Sequence, residues 1–296
     1  MKILVLGGNG FIGSHLVNRL LKDNHDVSIF DSHLPDKKLP NVKYLIGNFE
    51  KIDEYQDILR GIEVVYHLIS TTIPDAQREN ILFDIQTNLI STIKLLNFCV
   101  DAKIKKIIFC SSGGAIYGNN GKKHSEDDKL VPVYAYGINK LSIELYMNFF
   151  YQFYNLDYTI LRIANPYGKN HKNKKQGLLN VMIEKLKSKE KMPIYGDGNV
   201  IRDYVYIDDV IEALILAIPA NKSKVYNIGT GIGHSINELI SLLNSVSGDI
   251  LDIEWLPKRN VDIEKNVLDV SKAHKELNWQ PKTNLKDGIQ KLIKGD

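Results

Sequence analysis

A doubly wound, mostly parallel α/β sheet with a smaller C-terminal lobe is the fold this sequence predicts. Two observations carry that prediction. A glycine-rich turn joins an apolar strand to a helix at the very start of the chain. Strand and helix patterns then alternate through the first 166 residues, the signature of a parallel sheet built from crossover units.

The elements follow in order. Lys2 to Leu6 reads as a strand buried on both faces. Gly7, Gly10 and Gly13 come next, with Phe11 and Ile12 between the last two. Ser14 to Leu21 has helical spacing. In such a strand–turn–helix the first glycine lets the chain turn, the second lets backbone approach phosphate, and the third lets helix pack on strand. The helix N-terminus then presents free N–H groups to a pyrophosphate. A second strand, Asp26 to Phe30, ends at Asp31, where a carboxylate suits ribose hydroxyls and repels a 2′-phosphate. The expected cofactor is therefore NAD rather than NADP. Further strands are expected at 43–46, 64–68, 106–110 and 158–162, with long helices at about 80–102 and 135–155. After Pro166 the pattern loosens. A helix near 178–188, a strand near 225–228 returning to the main sheet, a helix near 235–245, a strand near 252–255 and a final helix are expected. Residues 1–166 read as the dinucleotide-binding domain, with 203–230 returning to it. Residues 167–202 and 231–296 read as the second lobe.

Composition narrows the function. The chain has 296 residues, 44% hydrophobic and 25% charged, an ordinary profile with ample core. A net charge of +3 does not point to nucleic acid. Cys99 and Cys110 both sit in apolar runs and read as reduced core residues. No apolar run is long enough to span a membrane, and the histidines show no metal-ligand spacing. The first ten residues are already the glycine-loop strand, so no secretory signal is expected there and a cytoplasmic location is.

The second chemical motif lies about 130 residues on. Tyr136 and Lys140 are spaced i, i+4 on a predicted helix and so share a face. A lysine cation and an oxidised nicotinamide ring would favour the phenolate, and burial would oppose it. The phenolate could take a proton from a hydroxyl while hydride leaves the same carbon. Ser111 and Ser112 end the strand at 106–110, at the sheet edge where such folds bind ligands.

Together these residues resemble the extended short-chain dehydrogenase/reductase family, which carries the Rossmann fold. Within it they resemble the NAD-dependent nucleotide-sugar epimerases and dehydratases, nearest the UDP-glucose 4-epimerases. The resemblance spans essentially the whole chain. It rests on the glycine loop, Asp31, the His67-Leu68-Ile69-Ser70 strand end, Asn88 in the long helix, and Ser111 through Gly118. It continues with Tyr136/Lys140, Arg162 through Gly168, Ile201 through Val210, and Leu277-Asn278-Trp279. It implies that Tyr136 is the base, that Lys140 holds the nicotinamide ribose, and that Asn48, Leu68, Ser70 and Asn88 contribute to the cofactor site. Asn165 would contact the substrate near its diphosphate, Arg202 and Arg259 would grip that diphosphate, Asp262 would meet the nucleotide ribose, and Tyr195 would lie near the uracil. Guanidinium forks suit a dianionic diphosphate.

Departures from the family pattern matter. Gly113 stands where relatives carry a catalytic Ser or Thr, so the role passes to Ser112, with Ser111 as the alternative. Asn48 stands where an Asp is usual, and Ile69-Ser70 where Ala-Gly is usual. Asn266 occupies a position where a bulky Tyr accompanies restriction to glucose and galactose, which implies room for an N-acetylhexosamine. The expected activity is 4-epimerisation of a UDP-hexose or UDP-N-acetylhexosamine. A 4-ketoreductase using NADH or NADPH shares every motif, and a non-catalytic nucleotide sensor is a third reading. A 4,6-dehydratase fits less well, because Gly114-Ala115 stand where the dehydratases carry Asp-Glu. A homodimer through the helices at 80–102 and 135–155 is expected from the aromatic run Tyr146 to Tyr154.

Overall fold

β1 (Lys2–Leu6) buries four of its five residues, as a strand with helices on both faces must. From there the computed structural model, which describes residues 1–73, 81–119, 121–171, 176–221, 223–258 and 263–295, alternates as the sequence predicts. α1 (Phe11–Lys22), β2 (Asp26–Asp31), β3 (Val42–Ile46), a 3-10 segment (Phe49–Leu59) and β4 (Val64–His67) come first. The long helix follows as α2 (Ile81–Asp84), a π-helical stretch (Ile85–Ile90) and α3 (Ser91–Asp101). β5 (Lys106–Ser112), α4 (Gly113–Ile116), β6 (Lys123–His124), α5 (Ala135–Tyr154) and β7 (Tyr158–Ile163) complete the first half.

The second half runs β8 (Asn165–Tyr167), α6 (Leu178–Ser188), β9 (Met192–Tyr195), β10 (Ile201–Tyr206), α7 (Ile207–Leu216) and β11 (Lys224–Ile228). It ends with β12 (Gly233–Ser235), α8 (Ile236–Ser247), β13 (Ile253–Leu256), β14 (Lys265–Leu268), α9 (Ser271–Leu277) and α10 (Leu285–Lys294).

Among the described residues the main sheet has the order β11-β7-β5-β4-β1-β2-β3, parallel throughout. The strand order reverses between β1 and β4, and in such sheets ligands bind at the carboxyl ends of the strands there. Two apolar layers cover the sheet. One is centred on Leu16, Leu20, Val210 and Leu214, the other on Leu95, Leu96, Ile143 and Met147. Each such fully buried side chain contributes roughly 1.5–3 kcal/mol.

The smaller sheet has the order β12-β10-β14-β6, with β8 paired to β10. It borrows β6 from the first half of the chain. β10 lies wholly in this sheet and leads directly into α7. β11 then pairs along its full length with β7. Trp279, 1% exposed, donates its indole N–H to the Asp209 carbonyl at 2.9 Å and anchors the C-terminal segment to α7. No helix among the described residues is long and apolar enough to cross a membrane.

Candidate active site

The glycine loop closes by backbone contacts. Gly7 donates its N–H to Phe30 O at 2.8 Å, and Gly10 donates to Gly7 O at 3.1 Å. A Cβ on Gly13 would lie 2.1 Å from Gly7 O, so no other residue fits there without moving the loop. α1 starts at Gly10 with no side-chain cap and no acid in its first turn. Its first N–H groups, on Phe11, Ile12 and Gly13, are thus left for an anion. Asp31, 8% exposed at the end of β2, accepts from Asn9 N at 2.9 Å and Ser32 N at 2.7 Å. The carboxylate therefore braces the loop from the position where a ribose diol would lie. These residues fit a dinucleotide.

The neighbouring loops are held differently from the expectation of direct contact alone. Asn48 caps the 3-10 segment, its carbonyl oxygen accepting from Glu50 N at 3.0 Å, which leaves its amide N–H groups. Asn88 is buried. Its Oδ1 accepts from Thr71 N at 3.0 Å, and its Nδ2 donates to Thr71 Oγ1 at 2.6 Å and Asp84 Oδ1 at 2.8 Å. Asn88 thus fixes the strand-end loop that follows Leu68, and Ser70 in that loop points its hydroxyl at Tyr136 as well as at Thr72 O.

Tyr136 and Lys140 lie on the inner face of α5, as their spacing requires. Lys140 Nζ donates to Cys110 O at 3.0 Å, and stands 4.6 Å from the Phe109 ring centroid and 5.7 Å from that of Tyr136. Burial pulls the Lys140 ammonium down to about 8. Packing around the Tyr136 hydroxyl pushes it up to about 12, against hydrogen bonds to Ser112 and Ser70 that favour the phenolate. In the protein chain by itself burial outweighs those hydrogen bonds at Tyr136.

Of the two serines, Ser112 reaches Tyr136. Ser111 is turned away and donates to Glu144 Oε1. Glu144 also takes a forked pair from Arg162, with Nη2 to Oε2 at 2.7 Å and Nε to Oε2 at 3.2 Å. Arg162 continues to Tyr117 Oη at 2.9 Å, and Tyr117 donates to Asn227 Oδ1 at 2.6 Å. This buried chain ties α5 to β5, α4, β7 and β11. Sequence reading did not single out Glu144, Arg162 or Asp84 as site residues. Glu144 lies four residues after Lys140 and Asp84 four before Asn88, and that helical spacing was the available signal.

On the substrate side, Arg202 is half-buried on β10 and pairs in register with Asn266 on β14. Its Nη1 donates to Ile201 O at 2.9 Å. Asn165 on β8 donates to Asp203 O at 2.9 Å. Tyr195 ends β9 and is 39% exposed. Asn266 is fully buried and donates Nδ2 to Gly113 O at 3.0 Å, which holds the turn next to Ser112. A Cβ on Gly113 would lie 2.6 Å from Leu268 Cδ1. Leu268 therefore occupies the space that a serine at 113 would need, which explains that departure from the family pattern. Arg259 and Asp262 lie outside the described residues.

Comparison with known proteins agrees with this arrangement. Residues 3–229 match the family model for the NAD dependent epimerase/dehydratase family. The chain is 34% identical over 297 residues to a putative UDP-glucose 4-epimerase of Methanocaldococcus jannaschii, covering 98% of this chain and 97% of that protein. It is 30% identical over 304 residues to a dTDP-4-dehydro-6-deoxyglucose reductase of Escherichia coli, covering 99% and 96%. The structure of a UDP-glucose 4-epimerase of Thermotoga maritima with UDP-glucose superposes with a TM-score of 0.90 at 36% identity, over 99% of this chain and 98% of that one. An uncapped glycine loop, an acid at the end of β2 and a half-buried tyrosine beside a buried lysine in one Rossmann sheet thus have a family: the chain belongs to the NAD-dependent epimerases and dehydratases, and its cofactor is NAD.

Proposed function

We propose that this enzyme interconverts the C4 epimers of a UDP-hexose or UDP-N-acetylhexosamine. The observation that carries the reading is that, among the described residues, Tyr136 is the acid–base group in contact with Ser112 and Ser70. Tyr136 stands among serine hydroxyls, and the turn after Ser112 is Gly113-Gly114-Ala115, with no carboxylate for a second proton transfer. One reversible base suffices to oxidise a hydroxyl and reduce the same carbon again. Asp31 supports NAD over a 2′-phosphorylated cofactor.

When bound, NAD would supply the hydride acceptor and a positive charge. Lys140 adds its own charge, and the two would favour the phenolate that burial opposes. Tyr136 then takes the sugar 4-hydroxyl proton, Ser112 holds the oxygen, and Tyr136 returns the proton after the 4-keto sugar presents its opposite face. Arg202, with Arg259, would hold the diphosphate while the sugar turns. Asn165, Tyr195 and Asp262 would contact the rest of the nucleotide. Asn266, set against the Gly113 carbonyl, leaves less bulk beside the sugar than a tyrosine would, which supports entry of an N-acetyl group.

Incubation with UDP-glucose and UDP-GlcNAc separately, followed by anomeric proton NMR, tests the reading. Formation of the galacto epimers is expected, with UDP-GlcNAc among the substrates. Turnover of UDP-glucose alone would remove the assignment to Asn266. The Escherichia coli relative gives a second reading, a 4-ketoreductase, and strict dependence on added NADH or NADPH with a 4-keto sugar would select it.

The same reading includes a homodimer. α5 buries Lys140, Ile143, Met147 and Phe150 on one face, and exposes Leu145, Phe149 and Phe153 on the other. Leu82 and Phe83 on α2 are exposed too. Contiguous apolar patches of this kind mark interaction surfaces. Light scattering should give a dimeric mass, and a monomeric one at micromolar protein would refute it.

A further inference from the structure

A small cavity of about 10 Å³ is lined by Tyr136 and Lys140. Its remaining walls are Ser70, Asp84, Asn88, Asn139 and Ile143. That volume admits the centre of one water. It opens where the long helix passes from α2 into the π-helical stretch, a local widening that often accompanies functional sites.

Two side chains make it a built site. Asp84 is 3% exposed, and its Oδ1 accepts from Thr72 Oγ1 at 2.8 Å and Asn88 Nδ2 at 2.8 Å. Asn139 is 5% exposed, and its Nδ2 has no hydrogen-bond partner among the described residues. A buried amide donor without a partner costs about 1–3 kcal/mol, so such a donor on a residue lining a water-sized space has a reason to keep a water there. We propose that one water in this cavity accepts from Asn139 Nδ2 and Lys140 Nζ and donates to the Asp84 carboxylate, making Asp84 a positioning residue for Lys140.

The surrounding charges favour Asp84 in that role. Lys140 faces Tyr136 and Glu144 on its own helix, Cys110 on β5, His67 on β4 and Asp84 on α2. Burial keeps the Cys110 thiol and the His67 ring neutral. Glu144 is committed to Arg162 and Ser111. Asp84 has only neutral hydrogen-bond donors among the described residues, so its charge is left to balance the ammonium. Burial lowers the Lys140 pKa and Asp84 raises it. Removing the acid or the water should therefore discharge the lysine at lower pH.

The proposal rests on Lys140 as the partner of Tyr136, and its test needs no substrate, so it fails or succeeds apart from the epimerase reading. Purified protein carrying lysine labelled with carbon-13 at Cε is titrated by NMR, with the Lys140 resonance assigned through Lys140→Met. In Asp84→Asn the Lys140 midpoint should fall by about one pH unit. In Asn139→Leu, which fills the cavity and keeps Asp84, it should also fall, by less. An unchanged midpoint in either folded variant overturns the bridge. Should Asp84→Asn fail to fold, Asn139→Leu decides the matter alone.

Discussion

The cofactor end and the substrate end of this site are made of different material. Around the dinucleotide the walls are backbone: Gly7, Gly10 and Gly13 close on one another, and α1 offers bare N–H groups. On the proposed substrate side the framework is side chains on paired strands: Arg202 on β10, Asn266 on β14, and Leu268 filling the space beside Gly113. A backbone cradle is tightly constrained, because a Cβ on Gly13 would collide with Gly7 O. A side-chain wall can be rebuilt one residue at a time. The difference teaches why such a chain shares its cofactor with relatives that act as epimerases and reductases, while its substrate end varies.

Tyr136 stands between the two ends, and changing it should have the largest effect. Tyr136→Phe should lower turnover by about 10²–10⁴-fold and leave NAD bound, measured by NMR of the epimers and by cofactor content. Loss of NAD with loss of activity would mean that the hydroxyl serves binding rather than proton transfer. Gly13→Ala tests the backbone end. With a Cβ 2.1 Å from Gly7 O, the variant should lose retained NAD, read from the nucleotide released on denaturation. Unchanged occupancy would show that the loop can yield.

Gly113→Ser tests the side-chain end, where compensation is possible. By itself it should destabilise by about 1–3 kcal/mol through overpacking against Leu268, seen in urea unfolding. Gly113→Ser with Leu268→Ala should recover stability and alter KM with NAD content unchanged. If the double variant is no better than the single one, the space is not shared as described.

The smallest effect concerns the floor between the two ends. His67 is buried, bonded through Nε2 to Thr92 Oγ1 at 2.8 Å, and burial lowers its pKa to about 3 from 6.5. The unfolded chain binds this proton first as pH falls. Stability from His67 is therefore whole above pH 6.5 and lost progressively toward pH 3. At pH 5 the loss is about 2 kcal/mol, and His67→Gln should remove that part of the difference between unfolding at pH 7 and pH 5.

The contrast between the two ends also explains what was legible in the sequence. The glycine loop, Asp31 and the strands of the main sheet were readable because local rules dictate them: a run buried on both faces, a turn that admits no Cβ, an acid at a strand end. Tyr136 and Lys140 were readable from helical spacing, and Ser112 from its strand end, though only the structure shows that Ser111 is spent on Glu144. β10, β12 and β14 were not anticipated. β12 and β14 are short, all three pair across long stretches of chain, and no local period distinguishes them from loop. The π-helical stretch escaped for the opposite reason, since a 3.6-residue pattern reads the same through a local change of pitch, and no helix was anticipated at Phe49–Leu59. Gly113 looked like a missing catalytic group until Leu268, 155 residues away, was seen to fill its place.

The most direct test of the central claim is turnover in deuterated water, with enzyme as purified and no added cofactor, followed by proton NMR of the sugar C4 position. A single base beside a retained hydride acceptor predicts formation of the epimer with its C4 proton kept. Deuterium at C4, or no epimer until NADH or NADPH is supplied, would contradict it.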